Sequence, residues 1–193
     1  MDKQLGKELR KQFEEMIKTR FPQFLRNKKS ENSIGCRIYQ CSLLERGYAF
    51  IMLQPSQRYN CFSVELAVSL ADKYPDESMN FLTTPYNEDS LRSVLVIGQG
   101  NLRCHLGDIE QRSGAFTQCE WNVSAQKRID NMYSRNINEF ESLIDFDLLN
   151  IQTPNINEED KKLIKTSIED VSKKLNIHAM PFFSNIQKIM GTL

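Results

Sequence analysis

The first 25 residues carry apolar side chains at three- and four-residue steps, which is the spacing of one helical face. The stripe consists of Leu5, Leu9, Phe13, Met16, Ile17, Phe21 and Phe24. It predicts an amphipathic helix over residues 2–25. Pro22 is expected to end the regular part of this helix near Arg20, because proline disfavours helical geometry in the residue before it.

After this stripe the apolar period changes to two, which is the period of a strand. Strands are predicted over residues 34–43 and 48–53, with a turn at residues 44–47 where Gly47 can adopt a positive φ. The most regular strand follows, and one alternating set is predicted to face the core: Phe62, Val64, Leu66, Val68 and Leu70. The other face of this strand is predicted to be half exposed.

Two further apolar runs, Leu91–Ile97 and Asn101–Ile109, flank Gly98-Gln99-Gly100 and predict a second hairpin. From Ser124 onward the period is helical again, with Asn157 predicted to cap a helix and Pro181 to open a last short one. The prediction is a single α+β domain over residues 1–193. An antiparallel sheet of about five strands (34–110) is packed by an N-terminal helix (1–25) and C-terminal helices (124–193).

Composition limits the classes of function that fit this chain. Its 25 basic and 25 acidic side chains give a net charge of zero, so the whole molecule favours no strongly charged partner. No apolar run is long enough to span a bilayer, and residues 1–8 lack the apolar core of a secretory signal. The cysteines at 36, 41, 61, 104 and 119 are odd in number, which predicts buried free thiols. We therefore expect a cytoplasmic protein that does not associate with membranes.

The sequence shows no recognisable catalytic, metal-binding or cofactor motif. Cys104 and His105 are neighbours on a strand and point to opposite faces, so they cannot form a nucleophile–base pair. Cys36 and Cys41 also face opposite sides of a strand, unlike a zinc-binding pair across a turn. Gly98-Gln99-Gly100 lacks the third glycine of a nucleotide-binding turn. No catalytic residue, metal or cofactor is predicted, and the chain is not expected to be an enzyme.

Charge is distributed unevenly along the chain. Residues 1–29 carry nine basic and four acidic side chains, whereas residues 72–89 carry five acidic side chains and one lysine. Long segments between strands are often functional, and a field of one sign speeds association with a partner of opposite sign. The predicted partner-binding residues are Asp72, Asp76, Glu77, Glu88 and Asp89.

One stretch resembles a known family. Residues Leu102-Arg103-Cys104-His105-Leu106-Gly107-Asp108-Ile109, followed by Trp121, resemble a bacterial domain family of unknown function found near polymorphic-toxin and immunity loci. Residues 50–56 and 61–66 are similar to the middle strands of that family, so the resemblance spans residues 5–150. This chain departs from the family in having one tryptophan where two are often found, and in its additional C-terminal helices.

The resemblance implies an immunity-like protein that neutralises a protein toxin by covering its active site. The expected partner is therefore a protein, such as a basic toxin domain. Covering its active site would need no catalytic residue on this chain. Two alternatives stay open. One is an enzyme or enzyme accessory with a site that the sequence does not reveal, and the other is a nucleic-acid-binding module that uses the basic first helix. Nucleic acid is not the expected partner, because acidic residues interleave with the basic ones on that helix.

Overall fold

The computed structural model describes residues 1, 3–31, 35–43, 47–56, 59–75, 88–110, 120–124 and 156–191. Over these ranges the chain is α+β, as predicted. Its helices are α1 (Lys3–Arg20), α2 (Glu88–Ile97), α3 (Leu106–Glu110), α4 (Glu158–Lys174) and α5 (Met180–Met190). Its strands are β1 (Leu25–Arg26), β2 (Arg37–Ser42), β3 (Tyr48–Pro55), β4 (Cys61–Ser69), β5 (Leu102–His105) and β6 (Glu120–Asn122).

Strands β1 to β5 form an antiparallel sheet in chain order, and β6 also pairs with β4. Leu66 of β4 lies opposite Ile51 of β3 on one side and Cys104 of β5 on the other. Strand β6 pairs with an earlier part of β4, where the rings of Phe62 and Trp121 stack with centroids 5.7 Å apart. Strand β4 therefore has β3 on one side and both β5 and β6 on the other.

Helices α1, α4 and α5 contribute to the core on one face of the sheet. The predicted apolar stripe of α1 is confirmed, and the helix ends at Arg20 as expected. Helix α4 begins after Asn157, whose Oδ1 accepts a hydrogen bond from the Asp160 N–H at 2.7 Å, so the predicted cap is also confirmed. The helix predicted after Ser124 falls on residues 125–155, outside the described residues.

We predicted that a separate last helix would begin at Pro181, and this prediction is wrong. Helix α4 continues through a π-helical segment, Leu175–Ala179, directly into α5. The Met180 N–H donates to the Leu175 carbonyl, five residues earlier. Proline would clash with a carbonyl four residues earlier in a regular α-helix. The wider π-helical turn before Pro181 lets the helix continue through it.

The second face of β4 is buried, although it was predicted to be half exposed. Of the five residues that point to this face, Cys61, Glu65, Ala67 and Ser69 are buried and Ser63 is partly buried. A second apolar cluster covers it, formed by Cys36, Ile38, Phe50, Met52, Ala67 and Tyr74. Residues 70–75, which we call the strap, cross this face after β4 ends. The alternation in the sequence was correct, but it could not reveal what covers the second face.

The hairpin predicted around Gly98-Gln99-Gly100 is wrong. Residues 88–97 form α2 instead of a strand, with Leu91 and Leu95 buried one turn apart. The Gly100 N–H donates to the Leu95 carbonyl at 2.7 Å, and Gly100 adopts φ +82°, so this turn is a helix C-cap. Only residues 102–105 of the second run are a strand, and α3 follows it directly.

Leu66→Ala should lower the free energy of unfolding by about 2–5 kcal/mol, because the truncation leaves a cavity in a packed core. Leu66 is fully buried at the centre of the sheet. Urea denaturation of the variant measures the loss. Leu25→Ala is the control, since Leu25 is 70% exposed and its loss should stay within about 0.5 kcal/mol. Equal losses in the two variants would contradict the burial assigned to Leu66.

Candidate functional site

The structure describes three of the five predicted partner-binding residues. Asp72 lies on the strap and is exposed, and Asp89 is exposed in the first turn of α2. Glu88 is the first residue of that helix. Asp76 and Glu77 lie outside the described residues. Asp72 and Asp89 belong to different elements, so the predicted acidic segment is not one continuous loop.

The strap is fastened to the sheet at three points. The Ala71 N–H donates to Ser69 Oγ at 3.1 Å where the strap leaves β4. Asp72 Oδ1 accepts from Gln40 Nε2 on β2 at 2.6 Å. The Tyr74 N–H donates to Ser30 Oγ at 3.1 Å, in the short segment that follows the edge strand β1. These bonds fix the direction in which the strap presents its exposed side chains.

Beneath the strap lies a buried ion pair. Glu65 Oε2 accepts from Arg103 Nη2 at 2.6 Å and from the Tyr74 hydroxyl at 3.0 Å, and all three residues are buried. The Arg103 guanidinium also lies over the Tyr74 ring, 5.4 Å from its centroid. Burial and the adjacent Glu65 carboxylate raise the pKa of Tyr74 well above its usual value, so its hydroxyl remains a donor. Tyr74 of the strap is therefore held by a hydrogen bond to Glu65 and by the contact of its ring with Arg103.

Where β4 gives way to the strap, large aliphatic side chains remain in solvent. Leu70 is 52% exposed, although we predicted that it would face the core, and Val96 and Ile97 of α2 are 59% and 70% exposed. Leu70 rests on the turn after Ile97, because a Cβ added at Gly100 would lie 2.5 Å from Leu70 Cγ. We call Leu70, Val96 and Ile97 the apolar end patch. Asp89 shares the exposed face of α2 with it, since residues seven and eight apart lie on one helical face.

Gly100→Ala should destabilise the protein by about 1–2 kcal/mol, because an L side chain is disfavoured in the left-handed conformation. The added Cβ would also displace Leu70. Gly191→Ala is the matched control: Gly191 has φ −71° and no neighbour closer than 3.5 Å to the added carbon. Its stability should change by less than about 0.5 kcal/mol. Thermal melts of both variants test this difference, and an unchanged Gly100→Ala variant would contradict the packing of Leu70 on the turn.

A second surface feature is an open groove of about 600 Å³ between α1 and α4. Four acidic and four basic side chains among the described residues line it, and Met16 and Ile168 form its apolar floor. Lys161 and Glu158, for example, form an ion pair at 2.7 Å. The balance of charge gives the groove no preference for an anionic or cationic ligand. The basic character of the first helix is therefore partly compensated by its surroundings.

The described cysteines are free thiols as predicted, and Cys36, Cys61 and Cys104 are buried, whereas Cys41 is only partly buried. Cys119 lies outside the described residues. Burial raises the pKa of Cys41 to about 11 and that of Cys104 further, so neither is a thiolate at neutral pH. Cys36 and Cys41 belong to different apolar clusters, on opposite faces of the sheet as predicted.

Over the described ranges, no three or more His, Cys, Asp or Glu side chains are grouped to hold a metal ion. In the same ranges, no helix is both long enough and apolar enough to cross a bilayer.

Comparisons of the chain with protein-family models, curated proteins and solved structures find no match. Function is therefore inferred from the residues of this chain alone.

Sequence reasoning missed the ion pair and the apolar end patch. A signal existed for the pair, since Glu65 and Arg103 are charged residues inside apolar strands. The exposure of Val96 and Ile97 was not predicted, because the run around them was interpreted as a strand.

Proposed function

We propose that this chain is a protein-binding protein that neutralises a protein toxin by occlusion. One observation carries the proposal: Leu70, Val96 and Ile97 are large exposed aliphatic side chains, and Leu70 packs on the turn that directly follows Ile97. Single exposed aliphatic residues are ordinary, but grouped ones on a soluble domain commonly mark a protein interface. The resemblance of residues 102–121 to a family found near toxin and immunity loci agrees with this proposal.

The apolar end patch has the rigidity that a binding surface needs. Leu70 is held by its contact with Gly100, and the rest of the strap is bonded to Gln40, Ser30 and Glu65. A surface that is ordered before binding loses less conformational entropy when the partner docks. Leu70, Val96 and Ile97 would supply the buried centre of the interface, and polar residues around them would supply its rim.

Acidic residues suit the rim of this interface. Asp89 lies on the same helical face as Val96 and Ile97, and Asp72 follows Leu70 by two residues. Asp76 and Glu77 remain predicted members of the rim. Carboxylates around an apolar centre attract a basic partner, such as a nuclease toxin domain, and disfavour acidic competitors. Lys73 is the exposed cation on the strap, so the field is moderate rather than strong.

Reversing Asp76, Glu77 and Asp89 to lysine should weaken toxin binding by roughly tenfold or more, about 1.4 kcal/mol. The melting temperature should remain nearly unchanged, because Asp89 is exposed and exposed substitutions rarely alter stability. Titration calorimetry of the triple variant measures the affinity. Unchanged affinity in a folded variant would remove these residues from the interface.

The partner itself is tested by coexpression with the protein encoded beside this gene. On the proposal, the neighbour is a toxic protein, the two form a stable complex, and this chain restores growth of the cells. A neighbour with an unrelated metabolic activity and no complex with this chain would contradict the proposed function.

A further inference from the structure

A separate cluster of charged side chains lies where α1 packs beside β1 and β2. Arg26 binds Glu31 through two hydrogen bonds of 2.9 and 3.0 Å. Glu31 is also 3.6 Å from Arg37 Nη1, and its Oε1 accepts from the Ile38 N–H at 3.3 Å. Both of its oxygens are therefore shared among several donors.

Glu14, the second carboxylate of this cluster, is also shared. It pairs with Lys18 at 2.7 Å and with Arg26 at 3.6 Å. Lys18, Arg26 and Arg37 thus contact these two carboxylates, and a fourth cation, Arg10, lies beside Arg37. Among the described residues, the cluster has an excess of two positive charges.

Arg10 is the cation of this cluster that no carboxylate neutralises among the described residues. Within the described part of the chain, it has no carboxylate and no hydrogen-bond acceptor. Its guanidinium lies against two glycines, because Cβ atoms added at Gly6 and Gly35 would be 3.1 and 3.2 Å from Arg10 Nη1. Partial burial and repulsion by Arg37 lower the pKa of Arg10, as expected for a cation beside a cation.

A buried hydroxyl beneath the same cluster also lacks an acceptor. Tyr39 is 1% exposed, and its hydroxyl oxygen has no hydrogen-bond partner among the described residues. Burial raises the pKa of Tyr39, and the charges of Glu14, Arg26, Arg37 and Glu31 act on it. A buried polar group without a partner is uncommon and calls for an explanation.

We propose that Arg10 and Arg37 form a binding site for a phosphate group beside Gly6 and Gly35. Gly35 adopts φ +87°, so this position favours glycine, and Arg10 Nη1 takes up the space that a side chain there would fill. The planar guanidinium groups of arginine match the oxygens of phosphate and bind them through paired hydrogen bonds. A phosphate dianion would also neutralise the excess of two positive charges.

The site lies on α1 and β2, whereas the apolar end patch is formed by the strap and α2. Phosphate binding is therefore independent of the proposed toxin interface, and either can fail without the other. The phosphate could be inorganic or carried as an ester by a small molecule. These sources share one chemistry and are distinguished by the probes used below.

The test is titration of the full chain with inorganic phosphate and with phenyl phosphate, at constant ionic strength maintained with chloride. Saturable binding is expected for the wild type, and Arg10→Gln and Arg37→Gln should each weaken it by at least about tenfold. Lys11→Gln is the matched control, since Lys11 is an exposed cation on the same helix and should change the affinity less than about twofold.

Tighter binding of phenyl phosphate would support a site for a phosphate ester, and equal binding would support a site for the free ion. Arg10→Lys keeps the charge without the planar group, and it should restore only part of the affinity. It also serves as the variant to measure if Arg10→Gln does not fold by circular dichroism. Failure of the wild type to bind either probe, or equal losses in Lys11→Gln and Arg10→Gln, would overturn the proposal.

Discussion

Glu65→Ala should destabilise the fold by about 3–5 kcal/mol, because removing one partner of a buried ion pair leaves the other charge in the interior. Arg103 is 6% exposed and loses the carboxylate 2.6 Å from its Nη2. The Tyr74 hydroxyl loses its acceptor in the same substitution. Urea denaturation followed by far-ultraviolet circular dichroism measures the change.

The matched control is the double variant Glu65→Leu with Arg103→Met. Replacing both charges by apolar groups of similar size is often close to neutral, so the double variant should be more stable than Glu65→Ala alone. Glu15→Ala, an exposed carboxylate on α1, should change stability by less than about 0.5 kcal/mol. A loss below about 1 kcal/mol for Glu65→Ala would mean that the pair contributes little to the attachment of the strap.

Val96→Asp combined with Ile97→Asp should weaken binding of the proposed toxin partner by about a hundredfold or more, about 2.7 kcal/mol, since central apolar contacts carry most of the energy of an interface. Both side chains are exposed in the free protein, so its melting temperature should change little. Ile177→Asp is the control, because Ile177 is 60% exposed but lies on the π-helical segment.

Comparing these variants shows whether a loss of affinity is specific to the apolar end patch or follows from any charge placed on an exposed aliphatic position. If the toxin docks on the apolar end patch, the α2 variant loses affinity and Ile177→Asp does not. Equal affinity in both folded variants would place the interface elsewhere on the chain.

The sequence predicted those elements whose pattern repeats over several turns or residues. The apolar stripe predicted α1, which holds five of its seven residues, and Asn157 with its acidic first turn predicted the start of α4. Helix α2 was mistaken for a strand because a short run such as Leu91–Ile97, rich in valine, fits either period. Its assignment as a helix depends on the burial of Leu91 and Leu95 within the core.

Contacts between distant residues were beyond sequence reasoning. Glu65 and Arg103 are separated by 38 positions and meet only because β5 pairs with β4. Gly47 was predicted to be able to adopt a positive φ, but it does not adopt one in the structure. Close packing limits the space for a side chain there instead. A Cβ at this position would lie 2.9 Å from Met190 Cε and 3.2 Å from the Ser69 carbonyl oxygen.

The candidate interface was predicted only in part. The acidic composition of residues 72–89 was visible in the sequence, and Asp72 and Asp89 are exposed as expected. Leu70 was assigned to the core because it continues the alternation of β4. The strand ends at Ser69, however, and Leu70 turns outward onto Gly100. Exposure at the end of a strand depends on where pairing stops, which no local pattern specifies.

Hydrogen–deuterium exchange of the chain, alone and with the protein encoded beside its gene, tests the proposed binding surface directly. Docking on the apolar end patch predicts slower amide exchange in residues 70–75 and 88–100 of the complex, with residues 158–174 unchanged. Protection confined to α1 and α4, with residues 70–75 and 88–100 exchanging as in the free chain, would contradict it.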